Sequence, residues 1–338
     1  MANVVAFGEI LLRLSTPRHE RLSQARQFDI IYGGSECNVA VSLAHFGHRT
    51  AYVSAIPAND VGQAAINFVR QFGVDTSHVL RQGRRLGTYF LEIGAGLRSS
   101  KVVYDRAGSA ASELRPGMID WQAIFRGQHW FHFSGITCAL SEGAAATVAE
   151  GAEAAGKAGL TVSCDFNYRA TLWTADRARQ VMGPIMPYVD VAIGSGRDPV
   201  LQGLVGRDGN VPPDQRSPEA YRPFVESAVK ILGFKKVALT VRDIHTTDRN
   251  TWLGLFYDGA GISQSRTYEL DIVDRVGGGD GFTAGVIHGI TSGFDRQRTV
   301  DFAVAAGALA HTVHGDFNLV TADEVEAVAR AAGGDVRR

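Results

Sequence analysis

The sequence predicts an α/β fold: a mainly parallel central sheet with helices on both faces, plus a small β-sheet lid. Short apolar runs alternate with helical patterns along most of the chain, which is typical of a parallel sheet covered on both sides. Glycine is unusually common, with 39 in 338 residues and no period, which indicates many tight turns and close backbone approaches. We expect one domain over residues 1–338.

Each element is justified by the spacing of its apolar residues and by the signals at its ends. An apolar run at 4–7 that ends at Gly8 predicts a buried strand, and helical spacing at 38–46 before Gly47 predicts a capped helix. A strand at 50–56 and a helix at 61–72 follow. The other strands of the central sheet are predicted at 129–134, 160–165, 189–193, 236–241, 252–257 and 267–272. The other helices are predicted at 141–155, 175–186, 218–232, 281–292, 296–311 and 322–332.

The lid is predicted from two stretches, at about 10–33 and 86–107. In the second stretch, β-rich segments at 88–93 and 101–104 are separated by glycines and charges, as in an exposed hairpin. Segments at 10–14 and 28–32 can add strands to the same small sheet. Its open edges and apolar faces would be a liability unless covered, so we expect a homodimer that pairs through the lid.

Composition excludes several classes of protein. The 34 Lys and Arg residues balance 35 Asp and Glu residues, which argues against a nucleic-acid partner. No apolar window approaches the roughly 18 residues needed to cross a bilayer, and the N-terminal residues do not resemble a signal peptide, so no membrane partner is expected. Cys37, Cys138 and Cys164 are widely spaced, which favours buried thiols in a reducing cytoplasm.

Two common nucleotide-binding patterns occur in the wrong context. Residues 151–157 fit the start of a P-loop, but Ala158 has no hydroxyl for a metal, and the pattern ends a predicted helix where a P-loop begins one. Residues 279–284 fit the dinucleotide pattern G-x-G-x-x-A, but they lie near the C-terminal end of the chain and not after its first strand. We therefore interpret neither pattern as a nucleotide site of its class.

A glycine turn at 277–279 offers a better account of phosphate chemistry. A predicted strand ends near Asp274, and a predicted helix begins near Gly281. Free amides at a helix N-terminus bind anions with the help of the helix dipole. Asp280, beside these amides, could take a proton from a hydroxyl while they hold a phosphoryl group. The alternative is an ordinary N-capping aspartate after a glycine turn.

A second glycine turn lies near the N-terminus. Gly33 and Gly34 precede the helix predicted at 38–46, so a ligand could approach the backbone closely there. Asn38 can offer both a donor and an acceptor to a polyol. The alternative is again a turn and a helix cap without a ligand.

Together the two turns resemble the paired signatures of the ribokinase-like (PfkB) sugar kinases, over nearly the whole chain. Other stretches are similar to one branch, the 2-keto-3-deoxygluconate kinases. These stretches are GEILLRLS at 8–15, LGTYFLE at 86–92, KVVYDRA at 101–107, FSGI at 133–136, DFNYR at 165–169 and GDFN at 315–318. The resemblance implies ATP-dependent phosphorylation of the terminal hydroxyl of a sugar acid. It implies 2-keto-3-deoxygluconate as the first candidate substrate and Mg²⁺ as a cofactor.

The resemblance also implies roles for single residues. Asp280 would be the catalytic base, with Gly277, Gly278 and Gly279 as the anion hole. The substrate-binding residues would be Gly34, Asn38, Tyr89, Tyr104, Arg106, Arg169 and Asp316. The ATP-binding residues would be Thr240, Arg242, Val304 and Gly307. Two arginines suit a sugar that carries a carboxylate, because a guanidinium can bind a carboxylate as a fork. Structural ion pairs of these arginines, and lid packing by the two tyrosines, are the alternatives.

Departures from the family pattern concentrate where a metal would be handled. Residues 194–198 read GSGRD, whereas the branch typically has GNEED, so Asp198 is the candidate metal residue that is left. Residues 274–276 lack the two hydroxyls common in the family, which weakens the case for a K⁺ site. The alternative functions are a kinase of a neutral sugar such as fructose or ribose, a nucleoside kinase, or a non-catalytic sugar or nucleotide sensor. The stereochemistry of the sugar is left open by the sequence.

Overall fold

The computed structural model describes residues 1–206 and 217–330 and confirms the predicted α/β architecture. The strands are β1 Asn3–Phe7, β2 Leu11–Ser15, β3 Asp29–Gly33, β4 Arg49–Ile56, β5 Val79–Arg81, β6 Gly87–Glu92, β7 Lys101–Asp105, β8 Trp130–Ser134, β9 Thr161–Asp165, β10 Val191–Ser195, β11 Lys236–Ile244, β12 Arg249–Tyr257, β13 Ile262–Gln264 and β14 Tyr268–Asp271. The helices are α1 Ser35–His45, α2 Asp60–Arg70, α3 Trp121–Ile124, α4 Gly135–Cys138, α5 Glu142–Lys157, α6 Ala175–Met182, α7 Pro199–Val205, α8 Pro218–Leu232, α9 Gly278–Thr291, α10 Arg296–Ala310 and α11 Ala322–Arg330.

The large sheet has the order β13-β12-β11-β10-β9-β8-β1-β4-β5, and β14 pairs with the first part of β12. From β11 to β5 all neighbours are parallel, whereas β12 runs antiparallel to β11, β13 and β14. Strands β1 and β8 are buried almost throughout, as expected for a sheet covered on both faces. The carboxyl ends of β1, β9 and β10 meet at one edge of this sheet, the usual position of a ligand site.

Two hydrophobic cores lie on the faces of the large sheet. One contains α9 and α10, which pack closely where Gly285 lies against Ala303. The other contains α5, α6 and α8 and holds the buried free thiols Cys138 and Cys164. The third thiol, Cys37, is buried in a smaller cluster beside α2. Among the described helices, none combines the length and the apolar character needed to cross a membrane.

The lid is a separate four-stranded sheet of order β3-β2-β6-β7, built within the two predicted stretches. Its inner face, with Leu11 and Tyr89, is turned toward the end of the large sheet. Its outer face carries an apolar row that runs across all four strands, because the register aligns its members. This row consists of Ile30, Leu14, Phe90 and Val103, of which Ile30 is 64% and Val103 is 50% exposed.

The lid also touches the large sheet at the tip of the β11–β12 hairpin. The backbone amide of Thr247 donates to the carbonyl of Gly96 at 2.9 Å, and its hydroxyl donates to the carbonyl of Arg98 at 3.0 Å. The sequence did not predict this contact, because β11 and β12 both extend further than their apolar runs. They pair as far as Ile244 with Asn250, beyond the predicted limits of 241 and 252.

Other boundaries differ for local reasons. Helix α1 begins at Ser35, three residues before the predicted start, and α9 begins at Gly278 and not near 281, because in both cases the glycine turn leads directly into the helix. The short elements β5, β13 and α7 were not predicted, since they have too few residues to show a period. The last two residues of the helix predicted at 322–332 lie outside the described residues.

Candidate active site

A cavity of about 540 Å³ lies between the carboxyl edge of the large sheet and the inner face of the lid. The predicted residues on its wall are Gly34, Asn38, Tyr89, Tyr104, Arg106, Arg169, Asp198, Thr240, Arg242, Gly277, Gly278, Gly279, Asp280 and Asp316. We call the wall made by Gly34, Tyr89, Tyr104, Arg106 and Asp316 the substrate half. We call the wall made by Thr240, Arg242, Trp252 and Arg275 the nucleotide half, and both names follow the ligands that the family resemblance predicts. Asp280 and Arg169 also line this cavity, and we assign them to neither half.

The glycine turn forms the start of α9 at the cavity. Gly277 caps this helix with φ 84°, a left-handed conformation that favours glycine, and a Cβ there would collide with the carbonyl oxygen of Asp316. The first α-helical hydrogen bond joins the amide of Gly281 to the carbonyl of Gly277 at 2.8 Å. The amides that precede Gly281 in the first turn have no carbonyl to pair with inside the helix. They can therefore serve an anion in the cavity, with the helix dipole in support.

Asp280 occupies the third position of α9, and only 8% of the residue is exposed. Its Oδ1 accepts a hydrogen bond from the Ser35 hydroxyl at 2.8 Å, and its Oδ2 accepts one from the Asn38 side-chain amide at 2.6 Å. Burial raises the pKa of this carboxyl, while the bonds from Asn38 and Ser35 and the charge of Arg169 oppose the rise. Asp280 is thus a carboxylate held in place and made more basic than usual, as a general base requires.

Two residues that support Asp280 were not predicted. Ser35 lies between the second glycine turn and Asn38, and its hydroxyl also accepts a bond from the Asn167 side chain at 2.9 Å. Asn167 has φ 41°, which is uncommon for a residue other than glycine and indicates a local strain maintained by its surroundings. Asn167 belongs to the DFNYR stretch that is similar to the family, which is a signal in the sequence, but its contact with Ser35 joins residues 132 positions apart.

A second buried carboxyl, Asp165, ends β9 beside the base. Burial raises its pKa well above the ordinary range, and the negative charge of Asp280 raises it further. Its Oδ1 accepts from the backbone amide of Asn167 at 3.1 Å, which links it to the same strained segment. Asp165 is therefore held toward its protonated form beside the base.

The substrate half is organised around Asp316. Its Oδ2 accepts a hydrogen bond from the Tyr89 hydroxyl at 2.8 Å, and Tyr89 packs beside Tyr104 with ring centroids 5.9 Å apart. Tyr89 is buried, whereas Tyr104 is 37% exposed and partly faces the cavity. Gly34 lies against the backbone of Glu9, where a Cβ would collide with the Glu9 carbonyl. The structure thus places these four predicted residues together on one wall.

The two predicted arginines differ in their partners. Arg106 is almost buried and binds Glu9, which accepts from Nε at 2.9 Å and also from Nη2, while Glu9 accepts from the Ser109 hydroxyl as well. Arg169 donates to the carbonyl of Tyr168 at 3.2 Å and, among the described residues, has no ion pair. Arg106 is therefore a neutralised, fixed donor, whereas Arg169 forms no close ion pair among the described residues and acts through its charge on Asp165, Asp198 and Asp280.

In the nucleotide half, neither Arg242 nor Arg275 forms an ion pair with a carboxylate among the described residues, although the charge of Asp248 acts on Arg275. Arg242 is exposed, yet the protein around it removes enough water to lower its pKa, and the nearby charges of Arg275 and Arg169 lower it further. Arg275 donates to the carbonyls of Thr246 and Thr247 at the hairpin tip. An electropositive wall of this kind suits the phosphates of a nucleotide.

Two residues predicted for ATP lie behind this wall. Val304 is fully buried and packs beneath Gly254 and Phe282. Gly307 lies against Trp252 and Phe282, and it is Trp252 that reaches the cavity. Helical spacing predicts that both residues lie on the buried face of α10. It cannot predict that the Trp252 side chain lies between them and the cavity.

Side-chain ligands for a metal are few. Both oxygens of Asp198 accept backbone amides, those of Val200, Leu201 and Tyr168, so that this carboxylate caps α7. Within residues 1–206 and 217–330, no three His, Cys, Asp or Glu side chains are grouped as a metal site. If nucleotide phosphates carried a magnesium ion into the cavity, Asp165 and Asp198 would supply carboxylate oxygens toward it, and the ion would supply positive charge to the phosphates. The expectation against a K⁺ site stays a prediction.

Comparisons with known proteins agree on one family. The model of the pfkB family of carbohydrate kinases matches residues 1–209 and 255–322. A 2-dehydro-3-deoxygalactonokinase from Haloferax volcanii is 32% identical over 99% of this chain and 98% of its own. A 2-dehydro-3-deoxygluconokinase from Thermoproteus tenax is 29% identical over 94% of this chain and 90% of its own.

A solved structure gives the same result. The crystal structure of a 2-dehydro-3-deoxygluconokinase from Thermotoga maritima superimposes with a TM-score of 0.93 and 43% identity, and the match covers 98% of this chain and all of that one. The large sheet, the lid and their arrangement are therefore shared over nearly the entire length.

Proposed function

The chain belongs to the pfkB family of carbohydrate kinases, and from this membership we propose that it transfers the γ-phosphoryl group of ATP to the terminal hydroxyl of a 2-keto-3-deoxy sugar acid. The observation that carries the reaction type is the position of Asp280. Its carboxylate adjoins the glycine turn, is held through both oxygens, and has a raised pKa. A base and an anion site side by side are what a phosphoryl transfer to an alcohol requires.

The proposed reaction uses the two features in one step. The hydroxyl oxygen of the sugar attacks the γ-phosphorus, its proton passes to Asp280, and the bond from phosphorus to the β-γ bridging oxygen breaks to release ADP. Negative charge that develops on the transferred phosphoryl group is stabilised by the amides of the glycine turn and by the dipole of α9. Magnesium, when bound with the nucleotide, supplies further positive charge to the phosphates. The lid limits access of water and hence wasteful hydrolysis of ATP.

The two arginines support the assignment of a sugar acid as the substrate. Arg106 is fixed by Glu9 on the substrate half, and Arg169 lies on the wall of the same cavity without an ion-pair partner among the described residues. A substrate carboxylate would give the Arg169 guanidinium a hydrogen-bonded ion-pair partner, which a neutral sugar would not. The relatives' names indicate two epimeric acids, 2-keto-3-deoxygluconate and 2-keto-3-deoxygalactonate, as first candidates.

An ATP-coupled assay with a substrate panel tests this proposal. The panel contains both epimeric acids, fructose, ribose and a nucleoside, each with and without Mg²⁺. We expect the highest kcat/KM for one of the acids. A higher value for a neutral sugar would refute the sugar-acid assignment, and ligand binding without turnover would favour a sensor.

We also propose that the lid pairs two copies of the chain. The apolar row Ile30–Leu14–Phe90–Val103 is a continuous outer face, and a second copy of the same face would cover it. Light scattering at micromolar concentration should give a dimer, and Val103→Asp should give a monomer, with Val61→Asp, at an exposed valine on α2 outside the lid, as the control. A monomeric wild type would contradict the proposal. A cytoplasmic location stays a prediction from the cysteines.

A further inference from the structure

A fully buried arginine lies where the lid meets the glycine turn. Arg13 is in the middle of β2, and its side chain has no exposed surface. Its Nε donates to the Ser15 hydroxyl at 2.6 Å, its Nη1 to Asp316 Oδ1 at 2.7 Å and its Nη2 to Asp274 Oδ2 at 2.6 Å. A buried guanidinium is tolerated only with such partners, so its position is closely determined.

The two carboxylates connect Arg13 with the anion site. Asp274 begins the segment before the glycine turn, and it accepts the backbone amides of Val276 at 3.2 Å and Gly315 at 3.1 Å. Asp316 follows Gly315, and its carbonyl oxygen lies directly against Gly277. A single guanidinium thus holds the lid strand and both segments that flank the anion site.

Arg13 also connects with the substrate half. The second oxygen of Asp316 accepts the hydroxyl of Tyr89, the residue that pairs with Arg13 across β2 and β6. Arg13 itself is not on the cavity wall, whereas Asp316 and Tyr89 are. Any effect of Arg13 on the reaction must therefore pass through these neighbours.

Electrostatics favour the same arrangement. Burial raises the pKa of Asp316, and Arg13 opposes the rise through its charge and its hydrogen bond. Without the guanidinium, the two buried carboxylates would lose the cation that they share, which is strongly unfavourable. A lysine could not replace it, because one ammonium cannot form a fork to both carboxylates.

We propose that Arg13 is a positioning residue that fixes the lid and the glycine turn at one separation, so that the sugar hydroxyl and the phosphoryl group meet at Asp280. The proposal rests on the proposed function. Misplacement by about 1 Å can lower a rate on the order of 100-fold, so a single fork at this junction can control kcat.

The first test compares Arg13→Lys with Arg85→Lys. Arg85 also forms an ion pair in the lid, with Asp105, but that pair is exposed and remote from the junction. We expect Arg13→Lys to lower kcat on the order of 10- to 100-fold while KM for ATP stays within about twofold, and Arg85→Lys to change neither. A wild-type kcat for Arg13→Lys would overturn the proposal.

A second test is needed if Arg13→Lys folds poorly. The double variant Arg13→Gln with Asp274→Asn removes one positive and one negative charge, so the net charge of the cluster is kept. Hydrogen exchange of the amides at 281–285, the first ones hydrogen-bonded within α9, is measured for each variant without ligands. Faster exchange than in Arg85→Lys supports the positioning role, and unchanged exchange refutes it. This readout holds even if the wild type phosphorylates none of the sugar acids, so failure of the proposed function can be told apart.

Discussion

The two halves of the cavity balance their charges in different ways. In the substrate half, Arg106 is neutralised by Glu9, and the Asp316 carboxylate is bound by Arg13 and Tyr89. In the nucleotide half, Arg242 has no carboxylate partner among the described residues, and the charge of Arg275 opposes it. The charged groups of the substrate half are therefore paired within the protein, whereas Arg242 in the nucleotide half has no ion pair among the described residues.

This difference indicates how each ligand is selected. A wall whose polar groups are already fixed recognises shape and the positions of hydroxyls, because a wrong substrate leaves buried groups unpaired. A wall with surplus positive charge attracts any polyphosphate, and it gains stability when the ligand neutralises it. We therefore expect selectivity for the sugar to be sharp and selectivity for the nucleotide base to be weaker.

The largest effect is expected for the base that lies between the two halves. Asp280→Asn keeps the shape and the contact with Ser35 but cannot take a proton, so kcat should fall on the order of 10²- to 10⁴-fold. ATP affinity, measured by calorimetry, should stay near the wild-type value. Asp176→Asn, on the surface of α6, is the control. If more than about a third of kcat remains, Asp280 is not the base.

The second prediction separates the two arginines. A charge-assisted hydrogen bond contributes roughly 1.5–3 kcal/mol, so Arg106→Ala and Arg169→Ala should each lower kcat/KM for the acid on the order of 10- to 100-fold. A reduced analogue with an alcohol in place of the carboxylate should be little affected. Arg106→Ala should also lower Tm, because it leaves Glu9 buried without its partner, whereas Arg169→Ala should not.

Equal losses for the acid and its alcohol analogue would count against the roles of these arginines. In that case both would be structural residues or ATP contacts, and the sugar-acid assignment would lose its main support. A Tm unchanged by Arg106→Ala would mean that Glu9 finds another partner.

The third prediction concerns the positive wall. Arg242→Ala should raise KM for ATP roughly two- to fivefold, since an exposed charge contact contributes up to about 1 kcal/mol. Thermal stability should not fall, because the change removes repulsion from Arg275 and Arg169. The matched control is Arg249→Ala, which loses an exposed ion pair with Asp271 on the same hairpin. A fall in Tm larger than in that control would show that Arg242 is a structural residue.

The smallest effect is a shift of the pH profile. The base works only when ionised, and burial raises its pKa, so kcat/KM should begin to fall at a higher pH than an ordinary aspartate would give. The hydrogen bond from Asn38 lowers that pKa. Asn38→Ala should therefore move the acid limb to still higher pH, whereas Asn67→Ala on α2 should leave it in place. A shift to lower pH would reverse the assigned role of Asn38.

Much of this cavity could be predicted because its parts are local in sequence. The glycine turn at 277–279 leads into α9 and carries Asp280 with it, so spacing alone brings the base and the amides together. The two lid stretches were predictable from their β-rich composition. The family resemblance then indicated which side chains share a wall.

The remaining parts depend on contacts between distant segments. Asn38 was predicted to bind a polyol, and its side chain also donates to a carboxylate 242 residues away. Glu9 and Arg106 form an ion pair across 97 residues, which no periodicity reveals. Val304 lies on the predicted helix face but in a deeper layer, because Trp252 from another strand reaches the cavity instead.

The three buried thiols can be used as probes of local unfolding in this chain. Burial raises the pKa of Cys37, Cys138 and Cys164, so none of them reacts as a thiolate while its surroundings stay closed. Cys37 lies in the cluster beside α2, and the other two lie in the core on the opposite face of β1 and β4. The rate at which an alkylating reagent modifies each one therefore reports how often that region opens. A ligand that slows the modification of Cys37 alone would make the region around α1 open less often, while the core that holds Cys138 and Cys164 opens as often as before.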